Sequence, residues 1–258
     1  MTAPLAFDDR GAGPAVVLIH GHPFNRSMWA LQHQALSGRF RVVCPDLRGY
    51  GESAATEGTV TMRELAADVE ALLDELEIDA AAVVGLSMGG LVAMELAIAN
   101  PGRWWALGLV ATTAAPVTEA ERRERLATAE TIDAEGMQSV VDSMGPRLFG
   151  AGVDSNVVDR VAKMMRTTNP LGAAAALRGR AQRPDYRPQL AKLRIPTFVC
   201  AGTADTWSTH EVTMELLSCL EAPQSLLLPG VGHLPNLERP DAFNVELVRF
   251  LEAAQRSR

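Results

Sequence analysis

The chain has 258 residues, 47% of them apolar and 21% charged, with a formal net charge of −7. That length suits one large α/β domain with room for an inserted cap, burying roughly three-quarters of the unfolded surface, and the mix is globular rather than disordered. A negative chain without a Lys/Arg run argues against nucleic acid or an anionic membrane as partner.

No window approaches the length of a membrane span, and Met1–Pro14 lacks the cationic stretch and apolar core of a secretory leader. Cys44, Cys200 and Cys219 are odd in number and have no metal-like spacing; Cys44 and Cys200 fall in predicted buried strands, where a thiol acts as a small apolar residue. The expectation is a cytoplasmic protein; the sequence says nothing of its oligomeric state.

In chain order, Leu5–Phe7 reads as a short edge strand closed by a turn at Asp8–Gly11. Pro14–His20 is a continuous apolar strand of the kind buried on both faces of a parallel sheet, and it runs into the loop His20-Gly21-His22-Pro23-Phe24. Ser27–Ser37 predicts a helix with Gly38 as its cap, Arg41–Pro45 a strand, and Asp46–Ser53 a Gly-punctuated loop. Thr61-x-x-Glu64 is a capping box opening a helix to about Leu76, with Leu65, Val69, Leu72, Leu73 and Leu76 on one face. Ala80–Val84 is the next strand, followed by Gly85-Leu86-Ser87-Met88-Gly89, an apolar helix to Ala99 and a strand at Ala106–Ala111.

From Thr112 to about Pro188 strand signals cease, and helical patterns follow Thr118-x-x-Glu121 and recur near 134–144, 156–166 and 171–180. This predicts a helical insertion over the sheet's C-terminal edge, with Met137, Met144, Met164 and Met165 either lining a pocket or forming the insertion's own core. Alternation resumes with the strand Ile195–Ala201, a helix at 210–220, the strand Ser225–Leu228 and a final helix from Pro240 to about Ala253. Strands alternating with helices give a mostly parallel sheet flanked by helices on both faces.

Ser87, Asp205 and His233 follow the ends of three different strands, the edge where open parallel sheets bind ligands. A strand that turns into a helix around Ser87 needs small residues on both sides, which Gly85 and Gly89 supply. A serine hydroxyl is a weak nucleophile until an imidazole takes its proton, and the imidazole needs a carboxylate to fix its tautomer. No carboxylate follows the Ala106–Ala111 strand, which leaves Asp205 as the acid. His20, His33 (on a predicted surface helix) and His210 read as structural. An oxyanion hole needs two backbone N–H donors: Met88 at the helix start is one, and because Pro23 has none, His22 is the other.

With these residues in view, the chain resembles the α/β-hydrolase superfamily over essentially its whole length, in HGHPFNRSMW, DLRGYGES, VGLSMGG, AGTADTWS and GVGHLPNLERPDAFN. Within it the chain is most similar to small bacterial esterases and the 3-oxoadipate enol-lactonase group, with Gly136-Met137, Asn169–Gly172 and Arg183-Pro184-Asp185 as weaker markers. The resemblance implies an α/β-hydrolase core at 1–112 and 189–258 with a helical cap at 113–188, and a Ser–Asp–His hydrolase of small-molecule esters or lactones that uses no cofactor and no metal. Candidate pocket residues are Phe24, Trp207, Met137, Met144 and Leu234. Departures concern the ligand: His22 and Ser208-Thr209 stand where relatives often carry a bulky apolar residue and a Thr-Pro pair, and a short N-terminal region predicts a missing first edge strand. A perhydrolase or haloperoxidase, a C–C bond hydrolase and a receptor without turnover share the same residues as alternatives. Epoxide hydrolases and haloalkane dehalogenases are disfavoured because they place a carboxylate where Ser87 stands.

Overall fold

The computed structural model describes residues 2–257; Met1 and Arg258, the outer ends of the two expected core segments, lie outside the described residues. The chain runs β1 (Phe7–Arg10), β2 (Ala15–Ile19), a 3₁₀ turn at Arg26–Trp29, α1 (Ala30–Leu36), β3 (Arg41–Pro45), α2 (Met62–Glu75), β4 (Ala81–Leu86), α3 (Met88–Ala99) and β5 (Trp104–Val110). Helices α4 (Glu119–Glu135), α5 (Gln138–Met144), α6 (Ser155–Arg166), α7 (Pro170–Arg180) and α8 (Arg187–Leu190) separate β5 from β6 (Thr197–Gly202). Then come α9 (His210–Ser218), β7 (Gln224–Leu228), α10 (Pro235–Glu238) and α11 (Pro240–Arg256). No described helix is long and apolar enough to cross a membrane.

The seven strands form one sheet in the order β1-β3-β2-β4-β5-β6-β7, antiparallel only at β1. Because side chains alternate across a strand, each inner strand feeds two cores. Val16, Leu18, Val84 and Cys200 join Trp29 and the Phe243–Leu251 stripe of α11 on one face, while Val17, Ile19, Val83 and Val199 join Leu65, Val69 and Leu73 of α2 on the other. Cys44 and Cys200 are buried in β3 and β6, and burial pushes both thiols up. Both predicted capping boxes form: Thr61 with Glu64 opens α2, and Thr118 with Glu121 opens α4.

Four local expectations are corrected. The edge strand extends over residues expected to turn: Phe7–Arg10 pairs with Pro45–Val42, and Arg41 holds Asp9 at 2.7 Å, which keeps this edge charged and exposed. The helix expected at 27–37 begins as a 3₁₀ turn capped by the Asn25 side chain. The helix expected at 134–144 is two helices, because Gly136 takes a positive φ of 76° and ends α4. His33 is buried rather than on the surface, its ring nitrogen 3.2 Å from the Val42 carbonyl oxygen.

Two predictions follow from this packing. An added Cβ at Gly85 would lie 2.0 Å from the Gly89 carbonyl oxygen, and one at Gly89 would lie 2.2 Å from that of Ile19, with only backbone to give way. Alanine at either position should destabilise the fold by about 3 kcal/mol or more in urea denaturation, whereas Gly102→Ala, with open space around it, should stay within about 0.5 kcal/mol. The second concerns His20 and His22 at the end of β2, both buried and both lowered by that burial below the ordinary value of 6.5, His22 strongly. The unfolded chain binds protons at these rings below about pH 6.5 while the folded chain takes them up only at lower pH, so stability falls on acidification, by up to about 1.4 kcal/mol per pH unit for each ring. The melting temperature should therefore drop between pH 7 and pH 5, and less steeply in His20→Asn; a flat profile would contradict the assignment.

Candidate active site

The turn from β4 into α3 places Ser87 at φ 54°, ψ −111°, a left-handed conformation rare for a residue with a side chain. Strain of this kind costs about 1–3 kcal/mol and persists only where neighbours over-determine it. Here the Ser87 N–H donates to the Val110 carbonyl (2.8 Å), and the Thr112 hydroxyl donates to the Ser87 carbonyl (2.8 Å), tying the turn to the end of β5. Ser87 keeps partial exposure amid residues that are otherwise buried, so the hydroxyl stands clear of the core.

Asp205 and His233 follow β6 and β7, strands that pair in parallel register. His233 Nδ1 lies 2.7 Å from Asp205 Oδ2, and both side chains are buried. Burial alone would raise the Asp205 carboxyl, but the His233 imidazole and the N–H groups of Trp207 and Ser208 outweigh it and hold the carboxyl below its ordinary range. The Trp207 N–H donates to Asp205 Oδ1 at 2.8 Å. A carboxylate at Nδ1 makes that nitrogen the proton carrier and leaves Nε2 as the ring's basic position. Strands in a sheet are about 4.8 Å apart, so β4 and β6, two positions apart in the order, end about 10 Å from each other.

The loop after β2 packs directly on Ser87: a Cβ on Gly21 would lie 3.3 Å from Ser87 Cβ and 3.0 Å from the Leu86 carbonyl oxygen. His22 follows, and its Nδ1 is 2.7 Å from the Tyr50 hydroxyl, which in turn points at Met88 Sδ (3.8 Å). The residues of both expected N–H donors, His22 and Met88, thus meet at one buried phenol. Tyr50 is placed by its own loop, where Asp46 accepts from the Arg26 N–H (2.7 Å) and the Glu52 N–H (2.9 Å), and the Arg26 guanidinium pairs with the same carboxylate. His20 completes the loop, its Nε2 accepting from the Leu47 N–H at 2.9 Å.

Of the candidate pocket residues, Phe24, Met137 and Leu234 are buried in one apolar cluster, against which Met144 and Trp207 pack half-buried. The Trp207 ring meets the His233 ring edge-on at 5.0 Å, with the Arg147 guanidinium 4.5 Å from the indole centroid. Two cavities, of about 390 and 430 Å³, lie elsewhere: one between Thr61, Glu95 and Tyr186, the other between Met28 and α6. Neither is lined by Ser87, Asp205, His233 or any of the five candidate pocket residues. No cluster of three or more His, Cys, Asp or Glu able to hold a metal is present among the described residues.

Sequence reasoning passed over Tyr50, Thr112, Arg147 and Arg180. Tyr50 lies inside the quoted loop motif, and its place between two Gly residues at a strand end was the available signal. Thr112 is marked only by following β5, and the arginines by nothing, since charges on insertion helices read as solvated.

The geometry can be set beside known proteins. The alpha/beta hydrolase family matches residues 16–246. The 3-oxoadipate enol-lactonase 1 of Acinetobacter baylyi is 32% identical over 248 residues, covering 94% of this chain and 90% of that protein. Among solved structures, a thermophilic esterase from Thermogutta terrifontis, determined with malate bound, superposes with a TM-score of 0.95 at 35% identity, covering 97% of this chain and 93% of that one. The enol-lactonase from Burkholderia xenovorans LB400 gives 0.90 at 32% identity, covering 96% of each chain. The match across nearly the whole chain, on a parallel sheet that turns into a helix at a strained serine, makes this chain a member of the alpha/beta hydrolase family.

Proposed function

We propose that the chain is a serine hydrolase that cleaves carboxylic esters or lactones through an acyl-enzyme on Ser87. The observation that carries this reading is the 2.7 Å bond between His233 Nδ1 and Asp205 Oδ2, formed at the same sheet edge as the strained Ser87. The esterase and lactonase relatives support it.

In this reading His233 Nε2 takes the Ser87 proton as the hydroxyl oxygen attacks the carbonyl carbon, and Asp205, kept ionised by its partners, stabilises the imidazolium. The negative charge on the tetrahedral oxygen is met by the N–H groups of Met88 and His22. Met88 is the first residue of α3, so its N–H is one of those a helix leaves without an internal partner, and the helix dipole adds to its pull. His22 keeps a neutral ring, because burial, Arg180 and His20 all disfavour its protonation. The imidazolium then protonates the departing alkoxide. In the second half His233 takes a proton from water, which attacks the acyl carbon and releases the acid and Ser87. For a lactone the alcohol and acid remain one molecule. Residues 113–188 act as the cap over this edge, setting the size and polarity of what enters.

Ser87→Ala should lower kcat on p-nitrophenyl esters by about 10⁶, and Asp205→Asn by about 10⁴. A chain-length panel of such esters with simple lactones, using Ser87→Ala as blank, measures this; a Ser87→Ala protein that kept most of its turnover would overturn the mechanism.

A further inference from the structure

Tyr50 sits where the loop after β3 meets the loop after β2 and the start of α3, and its backbone is held on every side. The Tyr50 N–H donates to the Leu47 carbonyl at 2.9 Å, and the Tyr50 carbonyl accepts from the Ser53 N–H at 3.0 Å. A Cβ on Gly49 would lie 2.6 Å from Gly172 Cα, so α7 presses on the loop one residue before Tyr50. The side chain is fully buried, and the rings of His20 and His22 meet it edge-on at 5.1 and 6.0 Å.

The two histidines hold the His22 residue from opposite ends. The Leu47 N–H donates to His20 Nε2, so the His20 ring proton is on Nδ1, which donates to the Gly21 carbonyl at 2.9 Å. The Phe24 N–H donates to the same carbonyl at 3.0 Å. That carbonyl and the His22 N–H belong to one planar trans peptide, so anchoring the oxygen sets the line along which the N–H points. The other end is the His22 side chain. Its ring is neutral, because burial, then Arg180 and His20, disfavour a second proton, and a neutral imidazole carries its proton on one nitrogen only. The Tyr50 hydroxyl lies 2.7 Å from His22 Nδ1 and 3.8 Å from Met88 Sδ. Burial keeps the phenol protonated, and its single proton has two candidate acceptors. An imidazole nitrogen is a far better acceptor than a thioether, and it is the closer of the two. The proton therefore goes to Nδ1, which leaves the His22 ring proton on Nε2.

We infer that Tyr50 is a positioning residue for the oxyanion hole: its hydroxyl holds the His22 ring by Nδ1, and with it the residue whose backbone N–H meets the tetrahedral oxygen. The same hydroxyl packs against the side chain of Met88, the residue of the other donor. Tyr50 touches neither the substrate nor the reacting atoms, and no proton passes through it. An oxyanion donor is effective only when it is in place before the charge develops, so loosening His22 costs rate rather than ground-state affinity. The dependence belongs to a histidine at this position, since an apolar side chain there needs no partner for a ring nitrogen. The effect on rate rests on the serine-hydrolase reading; the ring tautomer does not.

The test is Tyr50→Phe, which removes one oxygen from a buried ring. On p-nitrophenyl acetate kcat should fall at least fivefold, part of the roughly 10²–10³ lost with a whole donor, while KM stays within twofold. Inhibition by phenylboronic acid, whose tetrahedral adduct on Ser87 puts an oxygen where the oxyanion forms, should weaken at least fivefold as well. In a His22→Leu background, which has no ring nitrogen to hold, the same substitution should lower kcat by less than fivefold. The assignment fails if Tyr50→Phe lowers kcat less than fivefold, if the loss falls on KM instead, or if boronate inhibition is unchanged. It fails equally if the His22→Leu protein is slowed fivefold or more, which would make the hydroxyl a support of the fold and not of His22. A measurement without turnover or a folding-sensitive variant is the nitrogen-15 NMR spectrum of the histidine rings in the wild-type chain at neutral pH, with His22→Leu identifying the signals. A His22 ring with Nε2 protonated and Nδ1 bare supports the assignment, and a proton on Nδ1 refutes it. A wild-type chain with no Ser87-dependent turnover would sink the serine mechanism separately, leaving the spectrum to decide the tautomer by itself.

Discussion

The left-handed backbone at Ser87 is the constraint on which the rest of the site depends. A strand can become a helix within one residue only if the chain crosses itself at very short range, and that range admits no side chain at Gly85 or Gly89. The hydrogen bonds that hold the turn come from elsewhere, from Val110 at the end of β5 and from the Thr112 hydroxyl. The strain is therefore borne by the sheet and not by the loop. This is why the hydroxyl can be partly exposed while α3 behind it is buried almost all round. The same close approach brings Gly21 against Ser87 and fixes where His22 begins.

A second consequence is that the helical insertion and the loops carrying His22 and His233 are not independent. The His233 N–H donates to the Leu148 carbonyl at 2.7 Å, and the Glu238 carboxylate accepts from the N–H groups of both Gly150 and Gly232. At the other side the Thr168 hydroxyl donates to the Pro23 carbonyl at 2.8 Å. Insertion residues thus hold the backbone of the histidine loop and of the loop carrying His22. Changes in the insertion would therefore also move the backbone around His233 and His22.

Elements with a period or a cap were legible in the sequence. The inner strands, α2 with its Thr61–Glu64 box and the helix after Ser87 follow from patterns that tertiary contacts reinforce. The misread elements were those decided by partners far along the chain. Asp8–Arg10 looks like a turn until β3 offers it a ladder and Arg41 a charge. His33 looks solvated until Val42 supplies an acceptor. At the site, Asp205 and His233 were readable because both follow strands, and the structure adds the bond between them. Tyr50 and Arg180 were not readable. A phenol that bridges His22 and Met88, or a cluster of three arginines beside one carboxylate, exists only once the loops and helices are assembled.

The chain as a whole carries −7 and would repel an anion at long range. At physiological salt such repulsion is screened beyond about 8 Å. Close in, the nearest ionised or ionisable groups decide. His20 and His22 are kept neutral by burial, while Asp205 stays ionised against His233 and the Trp207 and Ser208 N–H groups. The half-buried Arg180 guanidinium has no ion pair, but Glu121 offsets part of its charge, and what remains acts with burial against protonation of the His22 ring.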